Sequence, residues 1–236
     1  MKFYPQLKLR SVIFMTALIG LTSIFQSCKI NDDDVVVPDV SALTIINASP
    51  NSAGLDFYIE NQRVNQSAFT YPLRMPYQRV YSGTRAAKVT TSSNPATLFS
   101  GNLTLQPNEY NSLFIIGKVE ALDFLLIKDD LSFPPSGKTK IRFGNLSPDA
   151  PAMSLEIVGD TTQFANKPYK SFTAFKTLQP GKFTLNLKNN ATNAIVATMP
   201  NVELLANKVY TIWAKGLVNT TVEAQKLGIH VINHDN

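Results

Sequence analysis

The feature that most restricts the fold of this chain is an internal repeat. Ile46-Asn47-Ala48-Ser49-Pro50-Asn51 returns 98 residues later as Gly144-Asn145-Leu146-Ser147-Pro148-Asp149, and each copy is followed by an alternating stretch, Leu55 to Ile59 and then Leu155 to Ile157. Gly83 and Gly181 keep the same offset. Leu103-Thr104-Leu105 with Tyr110 is matched, allowing a one- or two-residue gap, by Val202-Glu203-Leu204 with Asn207 and Tyr210. Self-similarity at a fixed spacing means one structural unit built twice. It predicts two domains, at 41–132 and 138–236, joined at 133–137 by Phe133-Pro134-Pro135-Ser136-Gly137, where paired prolines stiffen the backbone and Ser-Gly loosens it.

Each unit reads as β structure. Leu55, Phe57 and Ile59 alternate with Asp56, Tyr58 and Glu60, and Phe183, Leu185 and Leu187 alternate with Lys182, Thr184, Asn186 and Lys188. That period of two belongs to strands with one buried face. Leu113-Phe114-Ile115-Ile116 and Tyr210-Thr211-Ile212-Trp213 are apolar on both faces and are expected to be central strands. Turn clusters such as Gln106-Pro107-Asn108 and Gln179-Pro180-Gly181 separate the runs at sandwich spacing. The expected fold class is all-β: two tandem immunoglobulin-like or transthyretin-like β-sandwich domains after a signal peptide and a short linker. The cysteine pair bracketing a tryptophan that marks true immunoglobulin domains is absent from the sequence.

The N-terminus predicts export. Lys2, Lys8 and Arg10 precede an apolar run from Val12 to Phe25, which ends at Ser27-Cys28, so 1–27 reads as a signal peptide. The stretch resembles a bacterial lipoprotein signal of the looser type found in Bacteroidetes, which implies that Cys28, the only cysteine, carries the lipid (palmitate among its acyl chains) and that 28–40 is a tether. Several acyl chains at about 0.8 kcal/mol per buried CH₂ anchor stably where one is marginal. Asp32, Asp33 and Asp34, just behind the cysteine, resemble a surface-export signal, which implies an outer-membrane, cell-surface location; as a plain linker they need no function, since adjacent carboxylates stay solvated. Cleavage would take Lys2, Lys8 and Arg10 with it, lowering the net charge from +5 to +2, which leaves no footprint for nucleic acid.

Catalytic and metal chemistry find little support. His230 and His234 are the only histidines, and four residues along a strand separates them by about 13 Å, too far for one ion. Asp129 and Asp130 are adjacent and would point to opposite faces of a strand, which disqualifies them as a glycosidic carboxylate pair. Ser and Thr lack a nearby base, so the expectation is a non-enzyme without cofactor or metal. Asp160-Thr161-Thr162 resembles a Bacteroidetes O-glycosylation triplet. Tyr58, Tyr71, Tyr77, Tyr81 and Tyr169 fall in outward strand positions or loops where flat rings would stack on a sugar or a protein partner, and Tyr58, Tyr77, Tyr81 and Tyr169 are the candidate ligand-binding set.

The repeated Asn-x-Ser-Pro-Asn/Asp unit, the alternating strand after it and the later Leu-x-Leu, turn and Tyr segment resemble the DUF 4397 family in two copies. Ser147-Pro148-Asp149-Ala150-Pro151 is close to the family's typical turn, and Ser49-Pro50-Asn51-Ser52-Ala53 departs from it. The resemblance implies exported β domains and no mechanism. The resulting expectation is a non-catalytic envelope lipoprotein for binding or adhesion, or a structural module of a surface assembly. Its rival is a carbohydrate-binding lipoprotein of a glycan-uptake system. Partners would be the membrane through the lipid and a protein or glycan ligand; the oligomeric state is left open.

Overall fold

Strand β1 (Val40–Asn47) sends Leu43 and Ile45 to one face and Ile46 to the other, and all three are fully buried. In chain order there follow β2 (Leu55–Ile59), β3 (Gln62–Arg63), β4 (Gln78–Tyr81), β5 (Gly83–Thr91), β6 (Asn94–Leu105), β7 (Tyr110–Ile116) and β8 (Asp123–Asp129). They make two four-stranded sheets, ordered β4-β1-β7-β8 and β3-β2-β5-β6. The second half contributes β9 (Thr139–Asn145), β10 (Met153–Ile157), β11 (Phe164–Lys167), β12 (Ser171–Phe172), β13 (Lys176–Leu178), β14 (Gly181–Asn189), β15 (Ile195–Leu204), β16 (Val209–Lys215) and β17 (Gly228–Asn233). These form β12-β9-β16-β17, with β13 also on β9, and β11-β10-β14-β15. The computed structural model describes residues 38–234; the signal peptide, Cys28 and Asp32 to Asp34 lie outside the described residues.

Two β-sandwiches result. Between the first pair of sheets lie Leu43, Ile45, Leu113 and Ile115 against Leu55, Phe57, Val89 and Leu103; between the second, Ile141, Phe143 and Ile212 against Leu155, Leu185 and Leu187. The halves share register: Ser41 sits opposite Val80 as Thr139 sits opposite Leu178, the same pair 98 residues on. β1 pairs in parallel with β7, and β9 in parallel with β16.

The repeated turn motif is a backbone clamp. Asn47 Oδ1 accepts the Ser49 N–H at 3.1 Å while its Nδ2 donates to Phe69 O at 3.0 Å. Asn145 repeats the pattern, accepting from Ser147 N–H at 3.1 Å and donating to Lys167 O and Pro151 O, each at 3.0 Å. Lys167 is 98 residues after Phe69, so the same crossing is stapled twice. Further along the motif, Asn51 Oδ1 accepts from Val119 N–H at 2.9 Å, and Asp149 accepts from Val218 and Asn219 N–H at 2.9 and 3.1 Å. Asn145→Ala would take the partner from the buried Ser147 N–H and from two partly buried carbonyls, and a buried group left unpaired costs about 1–3 kcal/mol. With partial relaxation the expected loss is about 2 kcal/mol in a urea melt; a change within 0.5 kcal/mol, the usual range of a surface substitution, would reject the clamp.

Residues 38–234 cluster as one compact unit rather than two, and a third apolar layer explains why. The outer faces of the β1/β7 and β9/β16 sheets meet: Ile46, Ala48, Phe114 and Ile116 pack with Leu146, Trp213 and Ile232. Phe114 lies 5.4 Å from Phe172 and 6.3 Å, edge-on, from Trp213. Gly144 is part of this fit, because a Cβ there would meet the Phe172 ring at 2.3 Å.

Candidate functional site

The five tyrosines do not share a face. Tyr71 and Tyr169 pack against the layer between the sandwiches, and burial pushes the Tyr169 hydroxyl up to about 12. Tyr58 is half-buried with Lys88 Nζ 5.0 Å from its ring centre. Tyr77 belongs to a buried polar cluster. Of the proposed set, Tyr81 presents its ring to solvent, at 58% exposure. A side chain turned away from its own core is open only where nothing covers it, and Tyr77 and Tyr169 are each covered by the other sandwich.

The polar cluster spans the junction. Asp129 at the end of β8 forms an ion pair with Arg142 of β9, and both side chains are almost wholly buried, at 0% and 2% exposure. The second Asp129 oxygen accepts from Tyr77 Oη at 2.6 Å and Ser112 Oγ at 2.8 Å. Arg142 also donates to Thr211 Oγ1 at 2.9 Å and Lys128 O at 3.1 Å, and its guanidinium stacks 4.8 Å from the Phe175 ring centre. His234 closes the ring, with Nδ1 2.9 Å from Tyr77 Oη and Nε2 2.6 Å from Thr211 Oγ1. Burial, with Arg142 and Arg74 nearby, holds the imidazole down at about 3. Ser112 and Thr211 are fully buried, so no substrate reaches either hydroxyl, and every charge is matched inside the ring. The arrangement is a lock between sandwiches.

Asp129 ends β8 and Asp130 follows it, and both reach cations of β9, Asp129 pairing with Arg142 and Asp130 with Lys140 Nζ at 2.8 Å. Both histidines are packed: His234 is buried and His230 lies 5.3 Å from the Trp213 ring. Among the described residues no group of three or more His, Cys, Asp or Glu gathers as a metal site. Ser112, Arg142 and Thr211 were not anticipated from sequence. The available signal was Arg142 itself, a permanent cation between Ile141 and Phe143; the structure buries all seven residues of that strand, Lys140 among them.

A concavity lies elsewhere, at the open side of the first sandwich. A cleft of about 660 Å³ runs between β3 and β4, the edge strands of the two sheets, within the range of about 300–1,000 Å³ usual for ligand sites. Its floor is aliphatic: Ile45, Ile59, Val64 and Val80. Its rim is cationic: Arg63, Arg79 and Arg85, with Tyr81 beside them and Glu60 the one carboxylate among the lining residues. Arg63 pairs with Asp56 at 2.7 Å and Arg85 donates to Tyr81 O at 3.0 Å. Arg79 is exposed and has no partner among the described residues. Glu60 Oε1 is engaged by the Ala86 N–H at 3.0 Å.

Fold and site define a two-sandwich all-β protein with a cleft at the open side of its first sandwich. Residues 41–156, from β1 through most of β10, match the family model described as Domain of unknown function (DUF4397). No curated protein matches the sequence. Among solved structures, a carbohydrate-binding module from Eubacterium rectale in complex with maltoheptaose is 12% identical, with a TM-score of 0.27 over 81% of this chain and 96% of that one. An α-glucan-recognising carbohydrate-binding module of streptococcal virulence factors is 9% identical, with a TM-score of 0.26 over 80% and 96%. A protein from Parabacteroides distasonis described as a candidate for cell adhesion is 8% identical, with a TM-score of 0.24 over 84% and 100%.

Proposed function

We propose that this chain is a non-catalytic binding module of the cell envelope, anchored by a lipid on Cys28 and taking its ligand in the cleft of the first sandwich. The observation that carries this reading is the pairing of an aliphatic floor with an uncommitted rim cation, Arg79, and an exposed ring, Tyr81, in a cleft of about 660 Å³. The two sandwiches are proposed as tandem copies of one domain, at 41–132 and 138–236, a reading supported by the shared register and the duplicated asparagine clamp. A glycan ligand is the second reading, favoured by the single observation that Tyr81 offers a flat apolar face beside hydrogen-bonding side chains.

Two experiments test it. Labelling cells with a fatty-acid probe is expected to mark the wild type and not Cys28→Ala, and protease shaving of intact cells is expected to remove the sandwiches; an unlabelled wild type rejects the anchor. Binding to an immobilised panel of glycans and acidic peptides is expected to fall about tenfold on Arg79→Ala, the equivalent of about 1.4 kcal/mol. Unchanged binding in Arg79→Ala and Tyr81→Ala rejects the cleft.

A further inference from the structure

The chain contains its own comparison for the cleft. Ile45, Ile59 and Val80 recur 98 residues later as Phe143, Ile157 and Leu178. The fourth floor residue has a counterpart too: the Val64 N–H donates to Phe57 O at 2.8 Å, and Phe164 pairs with Leu155, the residue 98 after Phe57. Three of the four positions therefore carry a larger side chain in the second sandwich. There Phe143, Ile157, Phe164 and Leu178 are all buried, at 0%, 1%, 1% and 4% exposure. Phe164, brought in by the edge strand β11, fills from within the space that Val64 leaves open.

We propose that the cleft of the first sandwich takes an extended peptide strand of a partner protein, laid along the free edge of β4, with an aromatic side chain inserted between the sheets and an acidic residue at Arg79. It rests on the reading of the cleft as a binding site. The floor offers no polar group to satisfy sugar hydroxyls, and burying them unpaired is unfavourable, so what enters it is apolar. β4 has β1 as its one neighbour and β3 has β2, so the mouth is bounded by two strand edges with backbone groups available for pairing, the basis of strand addition. The ring bound in this way would stand where Phe164 stands in the second sandwich. The rim selects charge: Arg63 is paired with Asp56 and Arg85 donates to backbone carbonyls, which leaves Arg79 as the rim cation without a side-chain partner among the described residues, while the one lining carboxylate already accepts the Ala86 N–H.

The probe is the chain's own plug, a labelled heptapeptide of residues 160–166, Asp-Thr-Thr-Gln-Phe-Ala-Asn, titrated against the whole purified protein. Binding is expected, with a loss of about tenfold or more when the peptide carries Phe164→Ala or when the protein carries Val64→Phe with Val80→Leu, which copies the filled sandwich. Arg79→Glu, a surface change that leaves the floor intact, is expected to weaken the wild-type peptide and to spare its Asp160→Asn form. A peptide that fails to bind, or binds the filled variant equally, overturns the proposal. An α-glucan oligosaccharide held by the wild type and lost in the filled variant would overturn the peptide while keeping the cleft as a binding site. No difference between wild type and filled variant for either probe would overturn both.

Discussion

Asp129→Ala is expected to lower the unfolding free energy by about 3–5 kcal/mol, the range for removing one partner of a buried ion pair. The size follows from what is left behind. Arg142, at 2% side-chain exposure, would keep a permanent charge away from water with its counterion gone, and Tyr77 and Ser112 would each lose the oxygen to which they donate. Because the pair joins β8 to β9, the damage falls on the junction, and urea unfolding of the variant is expected to separate into two transitions where the wild type shows one. Arg142→Leu in the same background removes the stranded charge and is expected to restore part of the loss, since an apolar replacement of both partners is often neutral. Asp130→Ala is the control: its carboxylate is 60% exposed, and such a pair contributes about 0–1 kcal/mol. A loss below 1 kcal/mol for Asp129→Ala would mean that the sandwiches hold together by their apolar layer alone.

Why the sequence displayed some of this and hid the rest is clear from particular residues. Alternation at Leu55 to Ile59 and at Phe183 to Leu187 marked real strands, because period two is a property of one strand and one buried face. Phe114 and Trp213 made their strands apolar on both sides, and β7 and β16 do run between two partners. Their second apolar face, however, exists because one sandwich covers the other. The tyrosine set depended on the same unseen fact: period two assigns Tyr77 to a face without saying what lies over it. The asparagine clamp was legible as a turn, since Asn and Pro favour turns locally, whereas the partners of Asn47 and Asn145 come from Phe69 and Lys167, 22 residues on in each copy. The parallel pairing of β1 with β7 left no trace in alternation, which carries no information about partners. The cleft is defined by bulk missing at Val64, and the offset there is 100 rather than 98, so the comparison with Phe164 needed the strand pairing and not the sequence alone.

Acidification from pH 7.5 to 5 is expected to cost about 4 kcal/mol of stability, most of it through two histidines. Burial lowers His230 to about 4, with the Lys215 ammonium adding to the effect, and lowers His234 to about 3, with Arg142 and Arg74 adding to it. In the unfolded chain both return to about 6.5. The folded state therefore binds fewer protons below pH 6.5. Each histidine's contribution is complete above that value and falls by about 1.4 kcal/mol per pH unit as the pH drops toward the folded value. Asp129 acts with the opposite sign: burial pushes its carboxyl up, so folding takes up a proton there and the contribution grows as the pH falls, offsetting part of the histidine loss at the acid end of the range. The two signs are separable in urea melts at pH 7.5, 6 and 5. His234→Gln is expected to start less stable, because it disturbs the contacts to Tyr77 and Thr211, and to lose stability about half as steeply below pH 6.5 as the wild type. A wild-type profile that stays flat from 7.5 to 5 would mean that the imidazoles are protonated in the folded protein at little cost. In that case the ring around Asp129 would tolerate a second cation beside Arg142, and the lock between the sandwiches would owe more to Phe114, Trp213 and their neighbours than to its charges.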